Sequence, residues 1–118
     1  MLLAVTIAEC TNGTVRLMDG RNELEGRVEL CYNGQWGTVC DDQWSFEDAR
    51  VVCRQLGFSP NGSRAAPGVT FPPGTGAILL DGVQCSGEEQ TLLNCTTTGI
   101  GVHDCSHFED AGVICERM

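Results

Sequence analysis

Two kinds of side chain in this sequence could do chemistry: its cysteines and one pair of adjacent aspartates. Eight cysteines, Cys10, Cys31, Cys40, Cys53, Cys85, Cys95, Cys105 and Cys115, run through the chain with no two closer than nine positions. Structural zinc sites draw two ligands from a tight C-x₂-C pair, because neighbours on one short turn pre-organise half a tetrahedron. No such pair occurs here. Wide, even spacing suits cross-links between distant segments, which form in an oxidising compartment. Asp41 and Asp42 directly follow Cys40. Adjacent carboxylates repel, so the pair is stable when exposed or when a cation neutralises it. Hard cations such as Ca²⁺ or Mg²⁺ take such oxygens.

The rest of the composition narrows the function. At 118 residues there is room for one domain. Sixteen acids face seven bases, all Arg, for a net charge of −9. That balance argues against nucleic acid or an anionic membrane as the main partner, and favours cations, basic proteins or anionic ligands recruited through a bound cation. No stretch approaches the roughly 18 apolar residues of a membrane span, so this segment inserts in no membrane by itself. Sequons at Asn12, Asn61 and Asn94 agree with a secreted chain. Residues 1–9 read as a signal-peptide remnant or as an extra strand. No Gly-x-Ser-x-Gly elbow, phosphate-binding loop or His-Glu-x-x-His occurs, so nothing in the sequence supports catalysis.

The elements that must position these residues are short. Ser45 to Gly57 reads as a helix: Ser45 and Asp48 have capping-box spacing, Phe46, Ala49, Val52, Cys53 and Leu56 form one apolar face, and Gly57 ends it. Ser86 to Cys95 reads as a short second helix that brings Cys95 back toward Cys85. Val15–Leu17, Gly26–Cys31 and Gln35–Cys40 alternate as strands, with Asn33-Gly34 as a two-residue hairpin turn. Ala77–Leu80 and Gly112–Cys115 are later, more apolar strands. Ser59 to Gly76 holds all four prolines and reads as a long surface loop. Trp36 reads as core; Trp44, just before the helix, reads as core with an edge that could reach a ligand.

Several phrases together are distinctive: Glu25-Gly26-Arg27-Val28-Glu29, Gly34-Gln35-Trp36-Gly37-Thr38-Val39-Cys40-Asp41-Asp42, Val51-Val52-Cys53-Arg54-Gln55-Leu56-Gly57, Leu80-Asp81-Gly82-Val83-Gln84-Cys85 and Glu109-Asp110-Ala111-Gly112-Val113-Ile114-Cys115. In this order they resemble a scavenger receptor cysteine-rich domain over residues 14–116, within a single domain at 10–118. The resemblance implies an α+β fold, a small disulfide-rich domain whose curved antiparallel sheet cradles one main helix, with the short second helix beside it. It also implies bridges Cys40–Cys105, Cys53–Cys115 and Cys85–Cys95. The two cysteines of the family's eight-cysteine members are missing from their usual places, so the core follows the six-cysteine pattern. Cys10 and Cys31 are left over and are expected to pair.

By the same resemblance, Asp41, Asp42 and Glu109 form a divalent-cation site, and Asp42, Asp81 and Asp104 a second one. Gly82 stands where the family often has a further acid, which weakens the second set. The competing reading pairs these acids with Arg27 or Arg50. With Cys105 bridged, His103 and His107 have no thiolate beside them and read as solvated loop residues. The expected function is an extracellular recognition module that binds anionic macromolecules, glycans, microbial surfaces or host proteins with help from Ca²⁺. The alternatives are a non-catalytic part of a larger secreted protease or oxidase, or a spacer among tandem domains of the same kind. Peptide mapping of the non-reduced protein is expected to recover Cys10 linked to Cys31; either one as a free thiol contradicts the pairing.

Overall fold

The computed structural model describes residues 10–118; the expectation for residues 1–9 lies outside them. Among the described residues six strands form one curled sheet: β1 (Val15–Asp19), β2 (Glu25–Tyr32), β3 (Gln35–Val39), β4 (Ser59–Ala66), β5 (Ile78–Leu80) and β6 (Gly112–Glu116), with helix α1 (Phe46–Gln55) between β3 and β4. The order is β4-β6-β2-β3-β5, with β1 pairing β2. The β2–β3 hairpin turns at Asn33 and Gly34, both in left-handed backbone at φ 52° and 77°, as a tight turn matched to strand twist requires. All pairings are antiparallel except β3 with β5, which is parallel.

Strand β2 is buried on both faces. Val28 and Leu30 point into the core beside Val39, Val51, Val52, Leu80, Leu92 and Val113. The alternate residues Glu25, Arg27 and Glu29 are also buried, under the 67–76 segment. There the Arg27 guanidinium donates to Glu29 (3.0 Å), Asp19 (2.7 Å) and the Pro72 carbonyl (2.6 Å). Arg16 donates to the other oxygen of Glu29 at 2.7 Å and lies 4.2 Å above the Trp36 ring. Buried charges persist only when paired and hydrogen-bonded, and these are.

Four disulfides close the structure: Cys10–Cys31, Cys40–Cys105, Cys53–Cys115 and Cys85–Cys95. Cys53 leaves the buried side of α1 to meet β6, locking helix to sheet.

Several elements differ from expectation. The second helix is a single 3₁₀ turn, Leu92–Asn94. Ser86 and Glu89 do make their cap contacts, with Glu89 accepting from the Ser86 and Gly87 amides at 2.8 and 3.0 Å, but Gly87 at φ 101° turns the chain out of the helix. The first half of the proline-rich segment is strand β4, not loop. Pro60 is tolerated because β4 is an edge strand and is bulged between Ser59 and Arg64. Along α1, Phe46 is 44% exposed, while Asp48 and Val51 turn inward. Trp36 stands outside the core under Arg16, whereas Trp44 packs against it and donates its indole N–H to the Gly112 carbonyl at 2.8 Å.

Asp48 explains the turn of α1. One carboxylate oxygen accepts from the Ser45 amide at 2.8 Å and the other from the Cys85 amide at 2.8 Å, so one buried side chain both caps the helix and ties it to the Cys85–Cys95 segment. Replacing Asp48 by Ala orphans both donors and is expected to cost about 2–4 kcal/mol in urea unfolding. Asn restores only one acceptor and should recover part of the loss. A change below about 0.5 kcal/mol for Asp48→Ala would contradict this role.

Candidate functional site

The site is assembled where three distant segments meet at one disulfide. Cys40 is fully buried at the end of β3. Its amide donates to the Leu80 carbonyl at 2.8 Å, which draws the end of β5, and so Asp81, alongside. On the other side Cys40 pairs with Asp110, the Asp41 amide donates to the Glu109 carbonyl at 2.7 Å, and the Ala111 amide donates to the Val39 carbonyl at 2.7 Å. This short ladder continues from the 3₁₀ turn His107–Glu109 into β6. The Cys40–Cys105 bridge, spanning 65 positions, fixes the remaining loop against it.

As a result, carboxylate oxygens of Asp41, Asp42 and Glu109 lie within 4.8 Å of one another, around the Cys40 sulfur. Asp42 and Asp81 form a second group of the same spacing with the bridged sulfurs of Cys40 and Cys105. Asp104 falls outside that group, although its charge acts on Asp42 and Glu109. Asp81 is buried, Asp41 and Glu109 are half-buried, and Asp42 and Asp104 are exposed. The sulfurs are bridged and offer no thiolate, so the donors are carboxylate oxygens, a set that fits a hard divalent cation.

The expected alternative partners are engaged elsewhere. Arg27 is enclosed by Glu29 and Asp19, while Arg50 donates to Asn61 at 2.8 Å and pairs with Glu88 at 3.6 Å. Among the described residues none of the five acids forms an ion pair. Loss of hydration, followed by the charges of Asp81, Asp104 and Asp41, holds the Asp42 carboxyl above its ordinary value. Glu109 is raised in the same way, by lost hydration and then by Asp42 and the other acids.

One positioning residue was missed in the sequence. The Gly68 amide donates to Asp41 Oδ2 at 2.7 Å, which fixes the orientation of this carboxylate. A side chain at Gly68 would begin 2.2 Å from the Phe108 carbonyl oxygen, so only glycine allows this approach. Pro67-Gly68 marks a turn in the sequence, but nothing local says what its amide meets. The next residue, Val69, has φ 65°, a rare conformation for a β-branched side chain, and is 75% exposed. Phe108 is 69% exposed beside it, and Ile100 and Val102 are exposed on the loop that follows Asp81's partner Thr98. Of the histidines, His103 is exposed as expected. His107 is half-buried, its Nδ1 3.0 Å from Asp110 and its Nε2 2.9 Å from the Gly76 carbonyl.

The family model for the scavenger receptor cysteine-rich domain matches residues 18–116. A scavenger receptor cysteine-rich domain superfamily protein of Patiria pectinifera is 50% identical over 106 residues, covering 89% of this chain and 9% of its own length. Galectin-3-binding protein of Bos taurus is 49% identical over 114 residues, covering 97% of this chain and 20% of its own length. The chain thus spans a fifth or less of these relatives. Among solved structures it is similar to the third SRCR domain of murine neurotrypsin, with 50% identity and TM-score 0.79 over 88% of this chain and 96% of that one. It is also similar to the SRCR domain of mouse MARCO, solved in a dimeric form, with 47% identity and TM-score 0.72 over 86% and 94% of the two chains.

The raised carboxyls make a stability prediction. Asp42 and Glu109 hold protons more tightly folded than unfolded, so the stability they contribute is full below the ordinary carboxylate range and is lost as pH rises through their raised values. In chelator, Asp42→Asn is therefore expected to melt above wild type at neutral pH, and the gap should close near pH ~2, where carboxylates are protonated. An Asp42→Asn melting temperature at or below wild type at neutral pH contradicts the electrostatic account.

Proposed function

Because this chain belongs to the scavenger receptor cysteine-rich domain family, a family of receptor-type extracellular recognition modules, we propose that it binds macromolecular ligands through a Ca²⁺ or Mg²⁺ held by Asp41, Asp42 and Glu109. The observation that carries this reading is the convergence of three carboxylates within 4.8 Å with no arginine among them. Such a cluster is unfavourable alone and favourable around a cation.

Each residue has a part. Asp41 is oriented by the Gly68 amide, which holds its Oδ2. Asp42 and Glu109, whose carboxyls are raised by lost hydration and then by the neighbouring acids, gain most from a cation that offsets that repulsion. Asp42 also borders Asp81, and these two line the second proposed cation position, with the Asp104 charge acting on it from outside the group. A bound divalent cation would supply positive charge with coordination positions open to a sulfate, phosphate or carboxylate of the ligand, reversing the sign of an acidic patch. The exposed Val69 and Phe108 beside Asp41 and Glu109 provide apolar contact area, which supports a protein or glycoprotein ligand over a bare polyanion.

Calorimetry is expected to give a Ca²⁺ dissociation constant on the order of 10⁻⁴ M, as extracellular sites do. Binding to an array of sulfated, phosphorylated and protein ligands should be lost in chelator and lost in Asp42→Ala. Absence of Ca²⁺ binding below millimolar, or unchanged ligand capture by Asp42→Ala, would sink the proposal.

A further inference from the structure

The sequon Asn61-Gly62-Ser63 has no part in the cation site, yet its surroundings are built. Ser59 pairs with Glu116 and Arg64 with Ile114, so four residues of β4, from Pro60 to Ser63, stand opposite the single residue Cys115 of β6. The excess chain is folded into a bulge. Ser63 is buried, and its hydroxyl donates to the Pro60 carbonyl at 2.7 Å, closing the turn. A side chain at Gly62 would begin 2.1 Å from the carboxylate of the exposed Glu116, so glycine leaves that side chain lying over the middle of the sequon. Asn61 is left at the apex, exposed.

The Asn61 side chain is also aimed. Its Oδ1 accepts from the Arg50 guanidinium of α1 at 2.8 Å, and its amide nitrogen makes no hydrogen bond within the described residues. Attaching a sugar at Nδ2 leaves Oδ1 a carbonyl, so the bond to Arg50 survives and holds the nitrogen outward. Asn94, by contrast, sits on a 3₁₀ turn directly before the buried, bridged Cys95.

The bulge lies on an edge. β4 ends the strand order, and no described strand pairs with its outer side. Free strand edges are templates for pairing with another chain; Pro60 and the bulge blunt the first half of this one, and its regular part, Arg64–Ala66, carries a single charge, Arg64.

We propose that Asn61 carries an N-linked glycan and that this glycan closes the β4 edge to strand addition. In the transfer, the Asn61 Nδ2 forms a bond to C1 of an oligosaccharide as the C1–O bond to its lipid-linked diphosphate breaks; the amide gives up one proton and the lipid diphosphate leaves. The inference rests on the extracellular reading, since that donor is met in the secretory pathway.

The test uses the full chain directed into the secretory pathway of animal cells by a secretion leader. Peptide:N-glycosidase digestion in heavy-oxygen water should convert Asn61 to heavy-oxygen-labelled Asp. Unlabelled Asn61 in protein whose cysteines are all bridged overturns the site while leaving the extracellular reading intact. Retained protein with free thiols overturns both. Asn61→Gln, which spares the buried Ser63, should form dimers or larger species by light scattering where the glycosylated protein is monomeric at the β4 edge. The same oligomeric state for both proteins, once the glycan mass is subtracted, overturns the shielding role.

Discussion

Carboxylates that repel one another are held together here by a covalent bond. The Cys40–Cys105 bridge joins positions 65 apart, and Asp42, Asp81, Asp104 and Glu109 all gather near its two sulfurs. A loop of that length, closed in the unfolded chain as well, stabilises the fold by about 4 kcal/mol. In a chain with net charge −9 and no ion pair at these acids, that constraint keeps the three segments from separating. The strand ladder from Val39 to Asp41 then sets their register.

The segment from Pro67 to Gly76 is the second support. It has no strand or helix of its own, but it is fastened along its length: Gly68 to Asp41, Pro72 to Arg27, Gly74 to the buried Asp110 at 2.8 Å, and Gly76 to His107. Those contacts explain how β2 can bury charged residues on one face and apolar ones on the other. The loop roofs the Arg27–Glu29 pair and, with the same turn, presents its amide to Asp41. Core burial and site geometry are therefore linked through one stretch of backbone.

Much of the frame was legible in the sequence because it depends on local signals. The α1 boundaries follow from Ser45, the apolar spacing and Gly57; the hairpin follows from Asn33-Gly34. Local signals failed where a distant partner decides the outcome. Asp48 turns inward because the Cys85 amide waits there, and this pushes Phe46 out. Trp36 looks like core in an alternating strand, but its face of the sheet is the charged one. Pro60 argued for a loop, yet an edge strand with a bulge accommodates it. At the site, the adjacency of Asp41 and Asp42 was visible, whereas Asp81 and Glu109 were suggested only by family resemblance, because parallel and antiparallel pairings across the chain bring them in. Pro67-Gly68 signalled a turn, but the partner of the Gly68 amide, Asp41, lies 27 positions away and left no local mark.

At the Cys40 corner, Asp41, Asp42 and Glu109 make up the proposed cation position. Following backbone amide resonances of isotopically labelled protein during a Ca²⁺ titration tests it most directly. Saturable shifts centred on Asp41, Asp42, Gly68 and Glu109, with the β1–β2 face unmoved, are the predicted result. Shifts that do not saturate, or that centre on other acids such as Glu23, Glu47 or Glu88, would contradict it.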